Sequence, residues 1–156
     1  MNNTVLIRYH NDKLTKAKWN PKGDFVDLRC AEDNEYTIPF SDELDRGIQI
    51  QQGEHKLISL GVSMKLPTGY YAELVPRSSL FKKYGLLMTN SPGIIDESYC
   101  GDNDIWFFSV YSTRNTFVPF DERICQFRIV KKEPFEINTV YKLVDENRGA
   151  TATREN

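Results

Sequence analysis

The chain has 156 residues, a formal net charge of −2, and 40% hydrophobic and 27% charged residues, the profile of one ordinary globular domain. No apolar run is long enough to span a bilayer, no basic-then-apolar leader follows Met1, and no basic stripe suits a nucleic acid, so a cytoplasmic protein is expected. Three widely spaced cysteines (Cys30, Cys100, Cys125), no Cys-x-x-Cys and only two histidines, His10 and His55, argue against a zinc site or a disulfide framework and for free thiols.

The hydrophobic pattern is mostly of period two. Val5 to Tyr9 reads as an opening strand, and Lys16-Ala17-Lys18 after it as a solvated strand end or turn, as do Lys82-Lys83 and Lys131-Lys132. Phe25 to Ala31 reads as a second strand. Residues 41–55 are polar and receive no assignment. Lys56 to Leu66 reads as a long strand bent at Gly61, Pro67-Thr68-Gly69 as a turn, and Tyr70 to Val75 as a strand stopped by Pro76. Ser78 to Tyr84 is the one convincing helix, capped by Ser78 or Ser79 and ended by Gly85. Ile105 to Tyr111 and Ile124 to Val130 are β-branched and aromatic, hence strands, with Arg114-Asn115 as turn chemistry between them. Many short strands with frequent turns predict an all-β sandwich or barrel.

Four segments carry candidate chemistry. Pro76-Arg77-Ser78-Ser79-Leu80 passes from a strand into a helix N-terminus, where free N–H groups, two hydroxyls and a guanidinium suit an anion; alone it equally describes a serine cap beside a surface arginine. Asn90 to Asp102 reads as a β-hairpin with a buried Ile94-Ile95 strand. Its tip offers backbone groups to read a base edge, Asp96 to orient a water and Tyr99 to lie under a sugar, or it is a plain turn with an exposed acid and a packing ring. Asp27 places an acid inside an apolar strand, which costs free energy unless it is paired or simply faces outward. In Asp121 to Ile129, Arg123 and Gln126 interrupt a hydrophobic strand, as the polar alternates of an edge strand also would.

In this order, acid-in-strand, Arg-Ser-Ser, Gly93-Ile94-Ile95-Asp96-Glu97-Ser98-Tyr99-Cys100-Gly101 and Arg123-Ile124-Cys125-Gln126, the set resembles the trimeric dUTPase family from about Gly23 to Gly149. Pro67-Thr68-Gly69-Tyr70 is similar to the turn before that family's second motif, and Ile95 to Asp104 is most similar to the branch of Gram-positive bacteria and their phages. The resemblance implies a jelly-roll-like (β-clip) all-β domain over residues 1–146, a flexible arm over 147–156, and a threefold homotrimer with swapped arms and active sites shared between subunits.

It implies a dUTP diphosphatase that hydrolyses dUTP to dUMP and pyrophosphate with Mg²⁺. Asp96 then holds the water that attacks the α-phosphorus, and Tyr99 stacks on deoxyribose and excludes a 2′-hydroxyl. Backbone groups from Gly93 through Ile95 to Tyr99, with Asn90, read uracil. Arg77, Ser78, Ser79 and Gln126 hold phosphates, Asp27 serves Mg²⁺ and its waters, and Arg148 belongs to the arm. Three departures stand out. Only Asp27-Leu28 of the first motif fits. After Arg148-Gly149 the glycine-rich arm gives way to Ala150-Thr151-Ala152-Thr153, without an aromatic to cover uracil. Phe107 or Trp106 is the expected replacement; strand alternation puts Trp106 and Phe108 on one face and Phe107 on the other, and all three rings equally suit packing between sheets or subunits. The alternatives are a dCTP deaminase, which shares the Arg-Ser-Ser segment, and a nucleotide-binding regulatory protein with weak catalysis and a protein partner.

Overall fold

A computed structural model describes residues 3–37 and 44–147. Its elements are twelve strands and one helical turn, so the all-β expectation holds. In chain order they are β1 (Leu6–Tyr9), β2 (Val26–Arg29), β3 (Asn34–Thr37), β4 (Leu44–Ile50), β5 (His55–Ser59), β6 (Val62–Lys65), β7 (Tyr70–Pro76), α1 (Leu80–Tyr84), β8 (Leu86–Met88), β9 (Gly93–Ile95), β10 (Phe107–Ser112), β11 (Thr116–Pro119) and β12 (Arg123–Lys131).

All pairings are antiparallel and form four small sheets, ordered β1-β6, β5-β10-β8, β11-β4-β3 and β2-β12-β7-β9. The stretch from Lys56 to Leu66 divides at Gly61, whose φ of 64° favours glycine, and its halves join different sheets, β5 with β10 and β6 with β1. Alternate side chains of the sheets meet in one core containing Ile50, Ile58, Leu60, Met64, Leu74, Trp106, Phe108 and Ile124. Burying a large aliphatic or aromatic side chain contributes about 1.5–3 kcal/mol, so this core is the main stabilising term.

Four strands escaped the sequence reading: β3, β4, β8 and β11. β4 carries Asp45, Arg46 and Gly47, all poor strand formers, and it is held by pairing on both sides and by Arg46. That guanidinium donates to Asp33 Oδ1 at 2.5 Å and to the Asp33 carbonyl at 2.8 Å. The expected helix shrinks to five residues, Gly85 ends it with φ 67°, and Ser79 at its N-cap makes no side-chain capping bond. The segment expected to be a β-hairpin is not one: β8 pairs with β10, whereas β9 pairs with β7 as the edge of another sheet. Nor is β9 buried along its length, since Ile94 is exposed.

The last strand ends at Lys131, and Lys132 still bonds the Gly69 carbonyl through its N–H at 2.8 Å. Residues 133–147 form no strand or helix and are exposed. Of the arm expected over 147–156, only Asn147 is among the described residues, and Arg148 lies outside them. No helix of the described residues is long and apolar enough to cross a membrane.

Candidate active site

The strands deliver the sequence's candidate residues to two clefts. The first lies where β2, β12 and the end of β7 run side by side. Register sets Asp27 opposite Gln126, and Gln126 opposite Val75, with Arg77 just past the end of β7. β12 is therefore interior rather than an edge strand, and its polar residues Arg123 and Gln126 serve this cleft. The Asp27 carboxylate sits between two guanidiniums, 3.2 Å from Arg77 Nε and 3.6 Å from Arg123 Nη1. Gln126 Nε2 donates to the Pro76 carbonyl at 3.3 Å, and Arg77 N–H to that of Ile124 at 3.3 Å, which fixes the strand end from which Arg77 projects.

The cleft holds about 560 Å³ and is lined by Asp27, Arg77, Ser78, Arg123 and Gln126 together with Arg29, Lys16 and Lys18. Lys16 and Lys18, expected as solvated positions, are thus part of its cationic wall, and Arg29 is a further cation that the sequence reading did not single out. Only the return of the Thr15–Phe25 segment onto β2 and β12 brings the two lysines there, which no local pattern announces. One helical turn supplies little macrodipole, so the anion-attracting field comes from these side chains instead. Ser79 is exposed and does not line the cleft.

Behind this cleft, Glu122 ties α1 to the start of β12. Its carboxylate accepts from Tyr84 Oη, from Lys83 Nζ at 2.9 Å and from Arg123 N–H at 3.1 Å. Burial pushes the Glu122 carboxyl up, but the Tyr84 and Lys83 bonds outweigh it and hold it below the usual carboxylate range. Burial and the bond to Glu122 push the Tyr84 hydroxyl well up. Cys30 and Cys125 lie in the same region and are fully buried. Burial pushes the Cys30 thiol to about 12 and the Cys125 thiol well above its ordinary value, so neither is a nucleophile.

The second cleft, about 290 Å³, is lined by Ile94, Ile95, Asp96, Tyr99, Ile105, Trp106 and Phe107. A turn closed by Tyr99 N–H on the Asp96 carbonyl at 3.0 Å sets the carboxylate beside the ring, and Tyr99 Oη donates to the Ile105 carbonyl at 2.9 Å, which fixes the ring's orientation. Strand alternation acts as expected on β10: Trp106 is 2% exposed and Phe108 0%, whereas Phe107 is 46% exposed at the cleft. Trp106 therefore backs the cleft from the core, and Phe107 is the ring free to meet a ligand. Gly93 is buried behind, where an added Cβ would lie 3.1 Å from Met88 Cε and 3.3 Å from Leu74 Cβ, so a larger residue there would press on Met88 and β7. Asn90 is exposed before β9 and is not in this lining.

The family model for dUTPase matches residues 43–154, most of the chain. The chain belongs to the dUTPase family. An SPbeta prophage-derived deoxyuridine 5′-triphosphate nucleotidohydrolase of Bacillus subtilis is 44% identical over 146 residues, covering 93% of each protein. Among solved structures, the dUTPase of Staphylococcus bacteriophage 80alpha aligns with TM-score 0.69 and 17% identity over 91% of this chain and 99% of its own. A mutant dUTPase from phage phi11 of S. aureus, described with a structural Mg(II) ion, aligns with TM-score 0.66 and 16% identity over 90% of this chain and 98% of its own. These two alignments establish the dUTPase fold for the strands described above.

Within a single chain the two clefts lie well apart. Ile95 pairs with Ala72, so the antiparallel register carries Asp96 on to the level of Tyr71, and Arg77 lies six residues beyond that, just past the end of β7; Asp96 and Arg77 are therefore about 20 Å apart at about 3.4 Å per residue. An attacking water and the atom it attacks must approach to about 3–3.5 Å.

Proposed function

We propose that this protein hydrolyses dUTP to dUMP and pyrophosphate, and that it does so as a homotrimer in which the Arg77 cleft of one subunit faces the Asp96 cleft of another. The separation of two chemically complementary half-sites along β7 carries this reading: one attracts a triphosphate, the other offers a carboxylate beside apolar and aromatic walls, and neither suffices alone.

In this scheme Arg77, Ser78 and Gln126 hold the phosphate oxygens, with Arg123 adding charge and Ser79 at the rim. Asp96 orients a water and takes its proton as the water oxygen bonds to the α-phosphorus. The bond from that phosphorus to the oxygen bridging to the β-phosphate breaks, and pyrophosphate leaves with the electron pair. Positioning and electrostatics supply the rate, with no covalent intermediate. Tyr99, fixed by Ile105, packs under the deoxyribose and leaves no room for a 2′-hydroxyl. The outer edge of β9 carries unpaired backbone groups, suited to read the uracil edge around Gly93 and Ile95 with Asn90 nearby. Phe107 covers the base.

Among the described residues no group of three or more Asp, Glu, His or Cys side chains can hold a metal, and Asp27 already stands between two guanidiniums. That donor set fits a Mg²⁺ that arrives with the triphosphate, for which Asp27 would be the protein's carboxylate. Bound there, such an ion would supply charge neutralisation and a fixed triphosphate conformation.

Residues 133–147 expose Phe135, Ile137, Tyr141, Leu143 and Val144, an apolar surface that supports an arm leaving the body near Lys132 and lying on another subunit. Free thiols and a diffusible nucleotide substrate suit the cytoplasm.

The decisive assay measures pyrophosphate release from dUTP, dCTP and UTP with Mg²⁺, and ammonia release from dCTP. Turnover of dUTP alone is expected. Ammonia from dCTP would establish the deaminase instead, and tight dUTP binding without pyrophosphate would establish the regulatory alternative.

A further inference from the structure

Glu97 follows Asp96 directly, yet its side chain does not line the Asp96 cleft. Its Oε1 accepts from Gly69 N–H at 2.9 Å and from Lys132 Nζ at 2.6 Å. Lys132 in turn donates its own N–H to the Gly69 carbonyl at 2.8 Å. Three segments distant in sequence meet at one carboxylate oxygen: the turn between β6 and β7, the loop after β9, and the first residue beyond β12.

The loop needs such a tie. β9 is three residues long and an edge strand, so sheet pairing supports residue 96 from one side only. A carboxylate that orients water must be held to within about 0.5 Å, and a misplacement of about 1 Å can cost about 10²-fold in rate. The Lys132 bond first, then the Gly69 N–H, keep the Glu97 carboxyl below the usual carboxylate range, so the tie is ionised at neutral pH.

We propose that Glu97 is a positioning residue that fixes the Asp96 carboxylate and couples its placement to the root of the C-terminal segment through Lys132. The proposal rests on the dUTP-hydrolysing reading above. Residues from 133 onward hang from Lys132, whose backbone and side chain hold the Gly69 turn and Glu97 respectively. Any pull on that segment is therefore passed to the residue beside Asp96. The ion pair is half exposed, with side-chain accessibilities of 46% for Lys132 and 29% for Glu97, so it adds little to global stability. Its effect is on placement, which separates it from an ordinary structural contact.

The test compares the full-length native protein with Glu97→Ala, Glu97→Gln, Lys132→Met and the double variant Glu97→Ala/Lys132→Met. Readouts are kcat and KM for dUTP, thermal melting, and hydrogen exchange at the Tyr99 amide without nucleotide. Glu97→Ala should lower kcat about tenfold with KM within about twofold and an almost unchanged melting temperature. Glu97→Gln, whose amide oxygen still accepts from Gly69, should recover most of that loss. Lys132→Met should lower kcat about threefold, and the double variant should match Glu97→Ala, because both changes break one junction. Tyr99 exchange should quicken in Glu97→Ala. Native kcat in Glu97→Ala, multiplicative losses in the double variant, or losses that merely follow unfolding would overturn the proposal. If the native protein releases no pyrophosphate from dUTP, the functional reading fails by itself, and amide exchange with melting still decides whether Glu97 holds the loop.

Discussion

At one end of β7, Arg29, Arg77, Arg123, Lys16 and Lys18 line a cleft with a single lining carboxylate, Asp27; at the other, a single carboxylate, Asp96, lines a cleft with Ile94, Ile95, Ile105 and Phe107. The first cleft is built for charge. Two of its cations, Arg77 and Arg123, are paired with Asp27, which offsets their mutual repulsion. The second is built for shape, with a ring fixed by a backbone carbonyl and another presented by strand alternation. Under the proposed function this difference would divide the labour, with affinity for the triphosphate at one end and base and sugar selection with the attacking water at the other. Substitutions at the two ends should therefore fail in different ways.

The sharpest way to break that comparison is Asp96→Asn. Loss of the group that takes the water's proton should lower kcat by about 10³-fold while dUTP still binds, since the cationic cleft is untouched. Steady-state kinetics with a binding titration check this, and turnover within tenfold of native would remove Asp96 from the reaction. Next in size is Arg77→Ala. A charge-assisted bond to phosphate contributes about 1.5–3 kcal/mol, so kcat/KM should fall about 10- to 100-fold, chiefly through KM. Arg77→Lys should restore only part, because an ammonium lacks the fork that bridges two phosphate oxygens. An unchanged KM in both variants would move the triphosphate out of this cleft. Smaller again is Phe107→Ala: losing one stacked ring should raise KM about tenfold at nearly constant kcat. Trp106→Ala should instead lower stability, because that ring packs edge-on against Phe127 at 5.3 Å between centroids. A KM effect at Trp106 with none at Phe107 would reverse the assignment.

The two clefts also differ in how far the sequence reveals them. The Asp96 cleft is assembled within residues 94–107, so its members lie in one readable stretch and strand alternation alone separates Phe107 from Trp106 and Phe108. The Arg77 cleft gathers residues from 15–29, 77–78 and 123–126. Arg77 and Gln126 were legible through family motifs, but Lys16 and Lys18 resemble any solvated lysines until the chain folds back over β2. The fold shows the same divide. Strands with alternating or β-branched sequences, such as β7 and β12, were legible. The polar β3 and the Asp-Arg-Gly start of β4 are strands because neighbours pair with them and Arg46 binds Asp33, which is tertiary information. The mistaken hairpin has the same cause: the turn signals at Pro92-Gly93 and after Ile95 mark changes of direction but not the partner, and β9 pairs with β7, distant in sequence.

The smallest effect probes the floor of the cationic cleft. Glu122 binds Tyr84, Lys83 and the Arg123 N–H, and its carboxyl is held below the ordinary value of about 4.3. A depressed folded-state pKa means that ionised Glu122 favours the folded protein. That contribution is fully present above the ordinary value and is lost as pH falls through the depressed one. Glu122→Gln keeps an oxygen for Tyr84 but removes the charge that Lys83 meets, so at pH 7 the variant should be less stable by about 0.5–1 kcal/mol in urea unfolding. As pH falls through the depressed folded-state pKa the native carboxyl protonates too, and the two curves should converge. A gap that persists in acid would mean that the shape of Glu122, not its charge, holds α1 against β12. Because Lys83 is mostly exposed and Asp27 lies elsewhere in the cleft, the same substitution should leave KM for dUTP within about twofold, which makes it a control for charge changes that do not touch the triphosphate.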